Sequence, residues 1–401
     1  MKVCFINSFY YPNSVGGAEA TLKILAEGMV KRGHDATVVS LATDGVFRER
    51  DIAGVRSIYL PITNVCLPEG SQSRVIRSLF QIIDAYNPLM GRKVGRILDE
   101  CTPDVLNTHN LKGLSVAVWR EGFCRALPVV QTLHDYYLAC PRSAMYRNSH
   151  NCAAQCLECR ALFGARRRLS QKVGAVTAVS NRMITRLKNT GLFSSKTPVT
   201  IIRGNNREEW HGEPIRPVSP PPLILGFLGR LDELKGLESL IAVVNRFSKS
   251  QVILKIAGKG AEDYVQALRS QIRSDNVEFL GFTEPTAFFG AIHALVVPSV
   301  WEDPLPRVVH EAFGHGVPVI GAAIGGIPEM IEQGNNGYLF PAADQEALYG
   351  ILSRLAADGI PGAMTANCLS AAAAYSYTRI MDQYEAVLTE VAASGQRRQS
   401  M

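Results

Sequence analysis

The segment Pro298–Glu329, PSVWEDPLPRVVHEAFGHGVPVIGAAIGGIPE, gathers residue types that can hold an anion and several hydroxyl groups together. Pro306 suits the first turn of a helix, where its missing N–H costs nothing, and Gly316 with Pro318 suits its stop. The N–H groups around Pro306, Arg307 and Val308 would then offer the positive end of a helix dipole to an anion. Asp303 lies just before that terminus and Glu311 more than one turn inside it. Two carboxylates so placed can accept hydrogen bonds from different hydroxyl-bearing parts of one ligand. Taken alone, the segment reads equally well as an N-capping aspartate and a surface glutamate.

Other loops carry related chemistry. Gly226–Gly236, GFLGRLDELKG, ends a strand and opens a helix. Gly229 permits close backbone approach, Arg230 can fork onto a phosphate, and Lys235 adds a point charge. Two cations and a helix dipole stabilise the charge that develops on a departing diphosphate without a catalytic metal. The plain alternative is a pair of solvated surface cations. Gly16 and Gly17 precede another helix and can bring N–H groups to a phosphate. His134, in QTLHD, and His109, in NTHN, end buried-looking strands, where a neutral imidazole can bond hydroxyls or serve the core. Asn110 and Tyr136 adjoin them.

Two further clusters stand apart. Cys140, Cys152, Cys156 and Cys159 follow C-x11-C-x3-C-x2-C. Their spacing suits a structural zinc or a disulfide staple, with free thiols as the competing reading. Arg160, Arg166, Arg167, Arg168 and Lys172 follow directly and suit either an anionic lipid surface or a solvated helix face.

These loops need a frame. Lys2–Asn7, Ala36–Leu41, Val105–Thr108, Pro128–Leu133, Ala175–Val179 and Val199–Ile202 are short apolar runs separated by amphipathic stretches. The alternation restarts at Leu223–Leu228 and continues through Val252–Ala257, Val277–Leu280, Ala294–Pro298, Pro318–Ile320 and Gly337–Phe340. Continuous apolar strands between helices predict parallel sheets covered on both faces. The fold class is therefore α/β, with two Rossmann-like doubly wound domains facing a central cleft. The expected domains are 1–206, with a cysteine-rich insertion at 140–159, and 223–374. The proline-rich stretch 207–222 is the linker between them.

Composition is that of an ordinary globular chain, 47% hydrophobic and 19% charged, with a mildly basic net charge of +6. That balance suits an anionic ligand and gives no sign of a nucleic-acid partner. No leader or membrane span is evident, and nine cysteines in such a chain point to a reducing, cytoplasmic setting.

Taken in order, these motifs resemble the retaining glycosyltransferases of family 4, from about Met1 to Glu390. Gly16-Gly17-Ala18-Glu19 is similar to the family's glycine loop, and Thr132–Tyr136 to its histidine segment. Gly229-Arg230 with Lys235-Gly236 looks like its phosphate-binding pair, and Asp303 to Glu311 like its paired-glutamate motif. Gly325–Glu329 and Gly334–Gly337 match its closing loops. The resemblance implies the GT-B fold, with a C-terminal helix, about 375–395, crossing back to the first domain. It implies that Arg230 and Lys235 bind the donor diphosphate, Glu311 the ribose and Asp303 the donor sugar. His134 would lie over the reacting sugar, with His109, Asn110 and Tyr136 on the acceptor side. The chain departs from the family in carrying Asp303 for the usual glutamate and Arg203-Gly204-Asn205-Asn206 at the linker entry. The implied reaction moves a hexose or N-acetylhexosamine, UDP-linked by preference, to a hydroxyl of a glycan, glycolipid or small molecule. An inner-membrane-face contact through the arginine cluster would serve a lipid-linked acceptor. The rivals are a sugar-nucleotide 2-epimerase of the same fold and a non-catalytic sugar-nucleotide-binding subunit.

Overall fold

The computed structural model describes residues 1–13, 16–68, 73–204 and 222–399 of the 401. Of the expected linker 207–222, all but Pro222 lies outside the described residues. The chain divides into two compact units. The first runs to Met145, resumes at Cys152 and is completed by the chain from Tyr377; the second takes Tyr146–Asn151 and the described residues from 222 to Ser376.

The first unit is built on β1 (Lys2–Ile6), β2 (Asp35–Leu41), β3 (Arg48–Ile52), β4 (Val55–Leu60), β5 (Val105–Thr108) and β6 (Val129–Leu133). Two strands of the other unit, β7 (Tyr146–Arg147) and β8 (His150–Asn151), intervene before β9 (Ala175–Ala178) and β10 (Val199–Ile201) complete it. The sheet order is β10-β9-β6-β5-β1-β2-β4-β3. Every pairing is parallel except β3 with β4. Runs such as Val3-Cys4-Phe5-Ile6 are buried throughout, as a sheet covered on both faces requires. The strand order reverses between β1 and β5, which is where open α/β sheets bind ligands beyond the strand ends.

The final helix, Tyr377–Gln399, buries Ile380, Met381, Tyr384, Leu388 and Ala392 in the same core as Val3, Phe5, Leu22 and Met29. Those five share one helical face. Gly28 makes room for it, since a Cβ there would stand 2.6 Å from Met381 Cε. The helix begins at Tyr377, after a 3-10 turn over Ala373–Tyr375, two residues later than the sequence suggests. Arg32 clamps its outer side, donating to Glu385 at 2.5 Å and to Asp382 at 2.7 Å, while His34 lies 2.8 Å from Glu385. His34 and then Arg32 hold the Glu385 carboxyl below its usual range. A depressed carboxyl contributes stability above its unfolded pKa and loses it as pH falls through the folded value. Glu385→Gln is therefore expected to cost about 1 kcal/mol at pH 7, and progressively less towards pH 3, in urea unfolding.

The second unit holds β11 (Leu223–Leu228), β12 (Val252–Ala257), β13 (Val277–Gly281), β14 (Ala294–Val297), β15 (Val319–Ala322) and β16 (Gly337–Phe340). They lie in the order β13-β12-β11-β14-β15-β16, all parallel. Here the order reverses between β11 and β14. The two faces are covered by separate apolar clusters, one around Leu240, Ile241 and Leu352, the other around Phe288, Phe313 and Ile327.

The cysteine-rich stretch 140–159 does not stay within one unit. Its antiparallel hairpin β7–β8 groups with the second. The reason is local: the Asn151 amide donates to the Val300 carbonyl at 2.8 Å and accepts from the Glu302 N–H at 2.9 Å.

Candidate active site

In the second unit, β11 delivers Gly229 and Arg230, and a 3-10 turn over Glu233–Lys235 follows. Asp232 caps that turn by accepting from the Leu234 N–H. Gly236 then takes φ +71° with its α-carbon pressed on the Pro298 carbonyl; a Cβ would stand 2.1 Å from that oxygen. Only glycine accommodates both demands. The turn after β11 is thus locked to the loop after β14, which is tied again by the Val300 N–H donating to the Leu234 carbonyl at 3.0 Å.

This lock brings Lys235 to Asp303. The Lys235 ammonium donates to Asp303 Oδ2 at 2.6 Å and stands 5.7 Å from the Trp301 ring centroid. Asp303 is buried, and its backbone is held from the far side by Gly325, at φ +60°, where a Cβ would stand 2.3 Å from the Asp303 carbonyl oxygen. The Gly326 N–H donates to the same carbonyl at 2.8 Å. Arg230 pairs with Asp232 and is 70% exposed, so it is at liberty to swing towards a ligand. The pair sits at the β11/β14 reversal of strand order.

The next helix runs Arg307–Gly314, with Pro306 as its extended N-cap rather than in its first turn. A proline ring there supplies no side-chain acceptor, so the first-turn N–H groups of Arg307 and Val308 keep their capacity for an outside acceptor. Glu311 lies one turn in and accepts from Arg307 at 3.1 Å.

In the first unit, β5 and β6 are neighbours and carry His109-Asn110 and His134-Asp135 just beyond their ends. The imidazoles stack at 5.1 Å, with His109 Nδ1 2.9 Å from His134 Nε2. His109 is buried and reaches any ligand only through His134. Asn110 bridges outward, donating to Asp135 at 3.1 Å and, by its backbone N–H, to Asn7 at 2.9 Å. Burial pulls His134 down to about 4 and lifts Asp135 up to about 6. Gly16 precedes the helix Gly17–Lys31, and its N–H donates to Glu19 at 2.9 Å.

Two expectations need correction. Tyr136 is fully buried, with Arg186 over its ring, and therefore belongs to the core rather than to an acceptor surface. Arg166 is 1% exposed: its guanidinium stacks 4.2 Å from the Tyr137 ring centroid and faces Asp84 at 3.7 Å. Arg160, Arg167, Arg168 and Lys172 remain exposed. Arg168 and Lys172, with Arg120, Tyr86 and Phe123, line a hollow of about 610 Å³. The cysteines cluster, with Cys156 and Cys159 sulfurs 3.5 Å apart and Cys140 bonded to Cys159. No three His, Cys, Asp or Glu among the described residues form a set fit for a metal ion, and none of the four cysteines is in a disulfide. Cys159 joins Cys140 and Cys156 by hydrogen bonds, and its bond draws the Cys140 thiol down to about 6.

Asn107, Asn151 and Trp301 escaped the sequence reading. Only Asn107 carried a signal, an amide in a fully buried strand.

Comparison with known proteins agrees with the fold. The model for "Glycosyltransferase Family 4" matches residues 15–204, and that for "Glycosyl transferases group 1" matches 222–358. A 42.6 kDa protein of the cps region of Klebsiella pneumoniae is 29% identical over 82% of this chain and 87% of its own length. Sucrose-phosphate synthase from Thermosynechococcus elongatus superposes with a TM-score of 0.77 at 17% identity, over 98% of this chain and 99% of that one. HepE from Anabaena, solved with UDP-glucose, gives 0.70 at 21% identity, over 97% and 100%.

Proposed function

This chain belongs to glycosyltransferase family 4, with its GT-B fold, and from that premise we propose a specific reaction. It transfers a hexose or N-acetylhexosamine from a UDP-sugar to a hydroxyl of a glycan, glycolipid or small-molecule acceptor, with retention at the anomeric carbon. The observation that carries the reading is the Lys235–Asp303 pair, 2.6 Å apart at the β11/β14 switch point. A diphosphate arriving there competes with Asp303 for the Lys235 ammonium. Asp303, so released, is left as an acceptor for donor-sugar hydroxyls. Arg230 and the N–H groups of Arg307 and Val308 add positive potential where charge grows on the leaving phosphate. Glu311 is assigned to the ribose hydroxyls, and His134 of the first unit to a sugar hydroxyl. The acceptor oxygen bonds to the anomeric carbon as the bond from that carbon to the diphosphate breaks, and the leaving phosphate takes the acceptor's proton.

UDP is favoured because HepE, a neighbour in fold, was solved with UDP-glucose. The cps-region relative supports a polysaccharide acceptor. Exposed Arg167, Arg168 and Lys172 support a peripheral contact with an anionic membrane face on the cytoplasmic side. Among the described residues no helix is long and apolar enough to cross a membrane.

A thermal-shift series with UDP, GDP, ADP and their sugars tests the donor. UDP compounds are expected to raise Tm most, since a ligand of the native state alone stabilises it. No shift with any nucleotide would sink the proposal. Release of an epimerised sugar without acceptor would favour the 2-epimerase.

A further inference from the structure

The paired histidines of the first unit have a hydrogen-bond order that can be worked out from one end. Asn107 lies in mid-strand, and its Nδ2 stands 3.1 Å from the Val130 carbonyl and 3.0 Å from Thr132 Oγ1. A carbonyl can only accept, so the amide nitrogen must point that way and Oδ1 must point to His109. His109 Nε2 is 2.8 Å from that Oδ1, an acceptor with no hydrogen of its own. His109 Nε2 therefore carries the proton. In a neutral ring the other nitrogen is then bare, and His109 Nδ1 accepts. Its partner at 2.9 Å is His134 Nε2, which must donate. The consequence falls on the last nitrogen of the series: His134 Nδ1 has no hydrogen.

The rings stay neutral throughout the physiological range. Burial lowers both, and His134 lowers His109 further. The starting point is itself anchored. Thr177 donates to Thr132 Oγ1 at 2.9 Å, and the Tyr384 hydroxyl of the final helix bonds both threonines. The His109 backbone carbonyl accepts from Gln131 at 2.8 Å, and Gln131 in turn accepts from Thr108 at 2.7 Å.

We infer that Asn107 and His109 are positioning residues that hold His134 in the Nε2-protonated tautomer, so that it presents a bound sugar with an acceptor and never a donor. The sugar's part rests on the glycosyltransferase reading above; the tautomer does not. A hydroxyl satisfies such a nitrogen, whereas a ligand group without a hydrogen leaves it unpaired, and a site built this way rejects the latter.

The test uses the whole protein labelled with nitrogen-15 histidine; with eight histidines, assignment by single substitution is practical. Imidazole nitrogen shifts of the free protein are expected to show His134 with Nε2 protonated and Nδ1 bare, unchanged from pH 8 to pH 6. His109→Phe removes the acceptor while filling the space. It is expected to mix the His134 tautomers and to lower kcat about 10- to 100-fold, with the donor KM little changed. His109→Asn places an oxygen where Nδ1 stood and is expected to restore both the tautomer and most of kcat. A wild-type His134 protonated on Nδ1, or a His109→Phe protein that keeps the wild-type shifts, would overturn the inference. The expected tautomers in a protein that consumes no sugar nucleotide would sink the glycosyltransferase reading and leave the relay standing.

Discussion

Exchange of Lys235 for methionine is expected to lower kcat/KM for the sugar-nucleotide donor about 100- to 1,000-fold. The ammonium is the fixed charge nearest Asp303, and the 3-10 turn and Gly236 hold it there. Among the described residues Asp303 has no second cationic partner to replace it. Removing Lys235 also strands a buried carboxylate, so stability falls as well. Two companion variants separate the effects. Lys235→Met with Asp303→Asn recovers stability without recovering turnover. Arg230→Ala leaves stability within about 0.5 kcal/mol, as exposed positions do, yet still slows transfer. Steady-state kinetics beside urea unfolding reads both quantities.

The second large effect concerns stability. Arg166→Ala is expected to cost about 3–5 kcal/mol, the penalty for breaking a buried charge pair from one side. Asp84 accepts from the Tyr137 hydroxyl at 2.6 Å and from the Gly113 N–H at 2.7 Å, and Arg166 supplies the only facing guanidinium among its described partners. Burial raises the Asp84 carboxyl, and Arg166 is the largest influence opposing it. A carboxyl raised on folding destabilises as pH climbs through the window between its unfolded and folded values. Without Arg166 the folded value rises further, so the gap between variant and wild type should widen from pH 4 towards pH 7. Asp84→Asn added to Arg166→Met should recover much of the loss. Equilibrium unfolding at the two pH values checks the sign. An Arg166→Ala protein as stable as wild type would mean that the pair contributes nothing.

The contrast between Arg166 and its neighbours marks the limit of what the sequence discloses. Three consecutive arginines carry no phase, yet each helical step turns about 100°, which buries Arg166 and leaves Arg167 and Arg168 in solvent. What chooses the phase is Asp84, eighty-two residues earlier, and no local pattern records it. The hairpin β7–β8 escaped for the same reason: its partners are the backbone groups of Val300 and Glu302, about 150 residues on. The parallel strands, by contrast, are legible as unbroken apolar runs, because both faces of such a sheet are covered. Residues at their carboxyl ends follow from that. His109 and His134, and Arg230 and Lys235, are readable once β5, β6 and β11 are placed. Their contacts are not, since the 2.9 Å approach of the two rings depends on strand order. The short cysteine spacings made the proximity of the Cys140, Cys156 and Cys159 thiols legible, while their hydrogen-bond partners were not.

The most direct test of the account is a calorimetric titration of UDP and a UDP-sugar into wild-type protein and Arg230→Ala/Lys235→Met. Saturable binding to the wild type is expected, at least about tenfold weaker in the double variant at equal salt. Undiminished affinity in the double variant, or no binding to the wild type, would contradict it.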